Sequence, residues 1–190
     1  MPEAYGADVP ASRVPPKRLI PDATRVTDVW LGTTSAGDAI VVAYAKPGPD
    51  PFVQARGFVE WRRREGATPP WRPVFGIAHT KDEGILAIQA ITGDVTGDGS
   101  DDIIMIESTG GSGSCGRWRV LDLAAGAQLW SRSLCDAEVD PSQDPAGLAL
   151  TERVYEPGDP HCCPSAIRVS VLAYDSSGRF VKVSEDVTPL

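Results

Sequence analysis

The sequence predicts an all-β fold: a single antiparallel sandwich or barrel-like domain of short strands, in which a small propeller is also possible. Strand-like runs recur along the chain from residue 24 onward, and turn residues separate nearly all of them. Regular spacing of this kind is typical of sandwiches, barrels and propellers. The runs are 25–31, 39–46, 57–63, 74–79, 85–92, 103–107, 118–123, 128–133, 148–155, 166–174 and 180–184.

The first 23 residues differ from the rest of the chain. They contain five prolines and no apolar periodicity, at Pro2, Pro10, Pro15, Pro16 and Pro21. This predicts a Pro-rich arm or linker over 1–23 and an all-β domain over 24–190. Residues 50–66 allow a helix as a minor alternative, with Asp50 as its N-cap and Gly66 after its end, although Gly57 would stand in its middle.

Composition and charge exclude several classes of protein. The 190 residues carry a net charge of −8, which argues against a nucleic-acid binder held by phosphate contacts. The longest apolar runs, 39–45 and 103–106, are too short to span a bilayer. Residues 1–23 do not show the charged-then-apolar pattern of a signal peptide.

The four cysteines indicate an oxidising compartment. Cys115 and Cys135 bracket a predicted hairpin whose turn is centred near Gly126, so a disulfide at its base is expected. Cys162 and Cys163 are adjacent and could form a vicinal disulfide, or each could pair with a hairpin cysteine. A zinc site formed with His161 is the metal alternative, but it lacks the usual C-x₂-C spacing. We therefore expect an extracytoplasmic protein, secreted or surface-anchored.

The segment 94–102 has the pattern of a calcium loop. Oxygen-bearing side chains alternate around a glycine at position 99, and apolar strand-like runs flank the segment on both sides. Calcium prefers six to eight oxygen ligands, and glycine permits the sharp turn that such a loop needs. We expect Ca²⁺ as a structural cofactor; the predicted ligands are Asp94, Thr96, Asp98, Ser100 and Asp102. A tight turn made by Asx side chains is the alternative.

Residues 91–104, Ile-Thr-Gly-Asp-Val-Thr-Gly-Asp-Gly-Ser-Asp-Asp-Ile-Ile, resemble the calcium loop of FG-GAP/VCBS-type repeats. The resemblance implies a β-hairpin loop whose aspartates bind Ca²⁺, commonly in a propeller blade of an extracellular protein. It implies carboxylate ligands from the aspartates at 94, 98 and 102 and a backbone carbonyl ligand from Ser100. Thr96 departs from the Asn or Asp usual at that position of the family.

A second resemblance lies in residues 155–165, where Asp159-Pro160-His161-Cys162-Cys163-Pro164-Ser165 is similar to a segment of actinobacterial secreted lipoproteins of the LppP/LprE type. It implies an extracytoplasmic location. It implies no activity, because that family has none established.

Three further patterns resemble functional sites. Arg62, Arg63 and Arg64 could bind an anionic glycan or phosphate, or could form a solvated strand edge. Residues 111–116 satisfy G-x-G-x-x-G, but an alternating, strand-like run follows where a dinucleotide site needs a helix. His79 is expected as a surface residue at a strand end.

Catalysis has little support in the sequence. No G-x-S-x-G motif is present, and Glu107 with Asp122 could be a glycosidase pair only if they lay close together. The predicted function is therefore a non-catalytic, exported calcium-binding β-domain that binds or scaffolds an unspecified protein or glycan partner. An envelope-directed hydrolase is one alternative. An inhibitor or partner-binding domain anchored by exposed Trp61, Trp71 and the arginines is the other.

Overall fold

A computed structural model describes residues 11–14, 16, 19–20, 25–48, 50, 54–64, 70–110, 114–160 and 162–190. Within these ranges, single-turn 3-10 helices are described at Ala11–Arg13 and Lys81–Glu83. The remaining elements in these ranges are strands, in chain order β1 Arg25–Thr34, β2 Gly37–Ala45, β3 Arg56–Arg63, β4 Trp71–Ala78, β5 Ala87–Gly93, β6 Asp102–Gly110, β7 Cys115–Asp122, β8 Ala127–Leu134, β9 Ala137–Gln143, β10 Ala146–Val154, β11 Ala166–Tyr174 and β12 Phe180–Pro189.

Within the described ranges the twelve strands form three four-stranded antiparallel sheets, each made of consecutive strands. We name them sheet A (β1–β4), sheet B (β5–β8) and sheet C (β9–β12). The predicted all-β class and antiparallel pairing are confirmed, and none of the three sheets closes into a barrel. Strand β3 covers 56–63, so the helix considered for 50–66 is wrong there; residues 51–53 and 65–69 lie outside the described residues.

The sheets pack face to face in the order A, B, C. Alternate side chains of sheet A, such as Val41 and Phe58, are fully buried against Ile103 and Leu121 of sheet B. The opposite face of sheet B contributes Ile104 and other apolar residues to a second core, shared with sheet C. Strand alternation explains this, because neighbours in a strand point to opposite faces and a sheet covered on both sides needs apolar residues at both.

The outer face of sheet A is covered by part of the predicted N-terminal arm. Ala11, Val14, Leu19 and Ile20 are buried in one cluster with residues of β2, β3 and β4. These four residues therefore belong to the packed core, although the sequence predicts that they lie in an arm that ends at residue 23. The reason is apolar area, since four buried aliphatic side chains outweigh the extended tendency of the surrounding prolines.

The same cluster contains Trp61, which is 5% exposed, and Trp71, which is 3% exposed. The alternative of an inhibitor or partner-binding domain needs these rings exposed as anchors, and they are buried. Alternation along β3 places Trp61 on the outer face of sheet A. The ring is buried because the N-terminal residues pack over that face.

Three turns meet at one end of the stack, and they position the predicted calcium loop. The β1–β2 turn is hydrogen-bonded to the β5–β6 loop. The β9–β10 turn approaches from the other side, since a Cβ added at Gly97 would lie 3.1 Å from Ala146 Cβ. The β5–β6 loop, which contains residues 94–101, is thus held between the turns of sheets A and C.

Candidate metal centre

The β5–β6 loop is shaped by the carboxylate of Asp94, which follows the end of β5. Its Oδ1 accepts hydrogen bonds from the amides of Gly97 at 2.7 Å and Asp98 at 3.2 Å, and its Oδ2 accepts one from Gly99 at 2.9 Å. Gly97 and Gly99 have φ of 76° and 80°, a region that favours glycine. The two glycines and Asp94 therefore wind the chain into a turn around one carboxylate.

Asp102 closes the loop from the first position of β6 and is only 1% exposed. Its Oδ2 accepts from the Val95 amide at 3.0 Å, and from the Thr96 amide and hydroxyl at 3.1 Å each. Its Oδ1 is buried and has no hydrogen-bond partner among the described residues. Burial raises the pKa of Asp102 to about 7 despite these three donors, and the charge of Asp122 opposes ionisation further.

Asp98 and Ser100 occupy the outer part of the loop. The exposed Asp98 accepts a hydrogen bond from the Ser100 amide at 2.7 Å through Oδ1. Ser100 is 1% exposed, and its Oγ accepts a hydrogen bond from the Ser35 amide in the β1–β2 turn at 3.1 Å. The Ser100 side chain therefore joins the loop to sheet A, while its carbonyl was the group predicted to bind the cation.

The five predicted ligands lie in one loop, but its aspartates do not converge as a metal-binding group. The Thr96 hydroxyl lies between two carboxylates, 3.5 Å from Asp94 Oδ1 and 3.1 Å from Asp102 Oδ2. No three Asp, Glu, His or Cys side chains of the described residues are close enough together to hold a metal ion. The donor set nevertheless fits a hard cation, because every donor is an oxygen and the buried Asp102 Oδ1 lacks a partner.

The hairpin disulfide is confirmed. Cys115 and Cys135 are bonded at the base of the β7–β8 hairpin, which excludes the alternative in which these cysteines pair with Cys162 or Cys163. Cys162 and Cys163 are unbonded and exposed, with their Sγ atoms 2.8 Å apart. A disulfide between them remains a prediction, and the zinc alternative includes His161, which lies outside the described residues.

The arginine run does not form one patch. Strand β3 is an inner strand, paired with β2 and β4, so the expectation of a solvated strand edge is wrong. Arg62 turns toward sheet B, and its Nη2 lies 3.4 Å from Oε1 of the fully buried Glu60. Arg63 follows on the opposite face of the strand, and Arg64 is exposed. The three guanidinium groups therefore cannot bind one anion together as the run suggested.

A polar cluster missed by the sequence analysis lies at the end of the stack where β4 ends. His79 has a side chain only 8% exposed; its Nδ1 is 2.7 Å from Glu83 Oε2 and its Nε2 is 2.8 Å from Glu107 Oε1. The fully buried Glu107 also accepts from Arg119 Nε at 2.9 Å. His79 does lie at a strand end as predicted, but it is not a surface residue.

Burial lowers the pKa of His79, but the hydrogen bonds and charges of Glu107 and Glu83 outweigh that effect and raise it overall. The hydrogen bond from His79 in turn lowers the pKa of Glu83 to about 2. His79 therefore favours the imidazolium form, which donates one hydrogen bond to each carboxylate. The cluster borders a pocket of about 410 Å³ whose wall also includes the Cys115–Cys135 disulfide.

The positions of the strands exclude two weaker predictions, the glycosidase pair and the dinucleotide site. Glu107 pairs with Arg117 and Asp122 with Asp102, so the two acids lie five register steps apart on sheet B. At about 3.3 Å per residue their backbones are roughly 17 Å apart, too far for a glycosidase pair. Strand β7 starts at Cys115, so a strand and not a helix follows the G-x-G-x-x-G run; Gly111, Ser112 and Gly113 lie outside the described residues.

No helix in the described residues is both long and apolar enough to cross a membrane. No protein-family model matches the chain, and no curated protein or solved structure is significantly similar to it.

Proposed function

We propose that this protein is a non-catalytic, exported β-domain that binds one structural Ca²⁺ in the loop 94–102. Its role would be binding or scaffolding, at the cell surface or in the extracellular space. The observation that supports the ion most strongly is the carboxylate of Asp102, which is 1% exposed and has an Oδ1 without a partner in the described residues. A buried carboxylate in this state needs a proton or a cation, because an isolated buried charge is very costly.

The ion would be held by the carboxylates of Asp94, Asp98 and Asp102, the hydroxyl of Thr96 and the carbonyl of Ser100. When bound it would neutralise the charge that these carboxylates bring together. The loop already contacts sheet A through Ser100 and Ser35, whose side-chain oxygen and amide are 3.1 Å apart. A cation here would therefore stabilise the junction between sheets A and B, a structural role.

The cluster around His79 supports the non-catalytic part of the proposal. Both ring nitrogens of His79 and both carboxylate oxygens of Glu107 are engaged within the cluster. A general acid or base must reach a substrate proton, so this network would have to break before His79 or Glu107 could act. The adjoining pocket is the one observation that favours the alternative of an envelope-directed hydrolase.

Export is supported by the Cys115–Cys135 disulfide, since such bonds persist mainly in oxidising compartments. The partner would be a protein or a glycan. Trp61 and Trp71 would not contact it, because both rings are buried.

Thermal unfolding with and without calcium tests the proposal. In 2 mM added Ca²⁺, about the level met by extracellular modules, we expect a higher melting temperature than in EDTA. Sites with few carboxylates reach dissociation constants of roughly 10⁻⁴–10⁻³ M, so the gain would be about 0.6–1.8 kcal/mol. Asp98→Ala should abolish the rise.

Asp82→Asn is the matched control, because Asp82 is an exposed aspartate in the Lys81–Glu83 turn and outside the loop. It should keep the full response to calcium. Equal melting temperatures in Ca²⁺ and EDTA for the parent chain would overturn the calcium proposal, as would an equal rise in Asp98→Ala.

A further inference from the structure

The two adjacent cysteines form a chemical site separate from the calcium loop. Cys162 and Cys163 are both exposed, and their Sγ atoms are 2.8 Å apart. The length of a disulfide bond is about 2.05 Å, so the sulfurs need to approach by only about 0.8 Å to bond. The proximity of the two thiols therefore already exists in the folded chain.

The loop that holds them, between β10 and β11, is anchored by hydrogen bonds on both sides of the pair. Asp159 accepts from the Glu156 amide at 2.7 Å through Oδ2, and the same oxygen accepts from the Ser165 hydroxyl. The Cys163 amide donates to the Pro160 carbonyl at 2.9 Å, and the Ser165 amide donates to the Val154 carbonyl at 2.9 Å. These contacts fix the ends of the loop to sheet C and keep the two thiols at the surface.

We propose that Cys162 and Cys163 are a thiol–disulfide exchange site that reacts with small-molecule disulfides. The thiolate of one cysteine attacks the external disulfide R–S–S–R, forms a mixed disulfide and releases one RS⁻. The neighbouring sulfur then attacks the mixed disulfide, closes the Cys162–Cys163 bond and releases a second RS⁻. The two protons from the cysteines convert both leaving thiolates to thiols, so the two cysteines are oxidised by two electrons and one external disulfide is reduced.

The surroundings explain why exchange would be confined to this pair. Cys115 is half-buried and Cys135 is exposed, but the two are already bonded to each other at the base of the β7–β8 hairpin. Exchange with an external disulfide starts from a free thiolate. Among the described residues, Cys162 and Cys163 are the cysteines that are both exposed and unbonded. The hydrogen bond with Cys162 raises the pKa of the Cys163 thiol, and the charge of Asp159 adds to this. Exchange at Cys163 should therefore accelerate as the pH rises above neutrality.

The test uses the full chain, in EDTA, equilibrated in buffers of reduced and oxidised glutathione at several ratios. Remaining thiols are alkylated and located by peptide mass mapping. We expect Cys162 and Cys163 to lose alkylation together as the oxidised fraction increases and to recover it on return to the reduced buffer. Cys115 and Cys135 should stay unalkylated throughout.

The variant Cys162→Ser separates the two steps, because Cys163 can then form only the mixed disulfide. It should accumulate one glutathione adduct at Cys163, whereas the parent chain should carry almost none. Two cysteines that remain alkylated at every ratio, or that stay bonded at every ratio, would overturn the proposal. So would stable glutathione adducts on the parent chain without ring closure.

Discussion

Asp101 and Thr33 exchange two hydrogen bonds across the junction of sheets A and B. The Asp101 amide donates to the Thr33 carbonyl at 2.9 Å, and the Thr33 amide donates to Asp101 Oδ2 at 2.7 Å. Sixty-eight residues separate the two along the chain. This pair attaches the β5–β6 loop to the end of β1, so the conformation of the candidate calcium loop depends on the position of sheet A.

Replacing the acceptor side chain of this pair tests that dependence. Asp101→Ala removes the carboxylate that accepts from the Thr33 amide, and we expect about 1 kcal/mol less stability in urea unfolding in EDTA. Asp101→Asn keeps an oxygen acceptor and should lose about half as much. An equal loss in both variants, or none in either, would show that the hydrogen bond does not contribute.

A substitution at Thr96 should change calcium affinity and the unfolding temperature in EDTA in opposite directions. Thr96→Asp supplies the acidic side chain usual at this position in the loops that 91–104 resemble. We expect calcium affinity measured by titration calorimetry to rise by about tenfold, since affinity increases with ligand charge. In EDTA the same variant should unfold at a lower temperature, because another carboxylate repels Asp94 and Asp102. Thr96→Val should lower both quantities, since its hydroxyl contacts both acids.

Glu60 predicts how stability depends on pH. Burial raises the pKa of Glu60 to about 7, although Arg62 opposes that shift. The folded state thus holds this proton more tightly than the unfolded chain does. The contribution of protonated Glu60 to the free energy of unfolding is therefore complete below pH 4.5. It declines between pH 4.5 and about 7 and is lost above that.

The variant Glu60→Gln isolates this effect in urea unfolding measured in EDTA at pH 5 and pH 8. Relative to the parent chain, it should gain up to about 3 kcal/mol on going from the lower to the higher pH, since a pKa unit corresponds to 1.36 kcal/mol. A difference between variant and parent that does not change with pH would contradict a raised pKa at Glu60.

His79 gives a second pH-dependent prediction. Its pKa is raised in the folded state, so the stabilisation is fully present below the unfolded value near 6.5 and is lost as the pH rises through the folded value. His79→Gln should therefore cost about 2 kcal/mol at pH 6, when the charged network around Glu107 is complete, and less at pH 9.

Glu83→Gln is the comparison for His79, because Glu83 is the more exposed of the two carboxylates, with a side chain 49% exposed. It should cost clearly less stability than His79→Gln at pH 6, as an exposed ion pair contributes little. Equal losses from both variants would show that the buried contact with Glu107 contributes nothing beyond the exposed one.

Local sequence was sufficient for the features that depend on neighbouring residues. Alternation of apolar residues predicted eleven of the twelve strands in the described ranges, but not β9, which contains Pro141 and few apolar residues. Cys115 and Cys135 were placed together by counting outward from the turn at Gly126. The loop 94–102 was located because oxygen donors and glycines alternate over nine residues. Each of these signals arises from backbone geometry that repeats every two residues or from a turn that its own side chains stabilise.

The tertiary structure decided the features that depend on which sheet faces which. Arg62 is enclosed because sheet B packs over that face of β3, and Trp61 is buried because Ala11, Val14, Leu19 and Ile20 cover the other. His79 meets Glu107 from 28 residues away, as Asp101 meets Thr33 from 68. Alternation in a strand shows which residues share a face of the sheet. It does not show what covers that face, because burial depends on the packing of whole sheets. The amino-acid sequence by itself therefore determined all the described strands except β9, the hairpin disulfide and the candidate loop, while sheet packing decided which polar groups became buried partners.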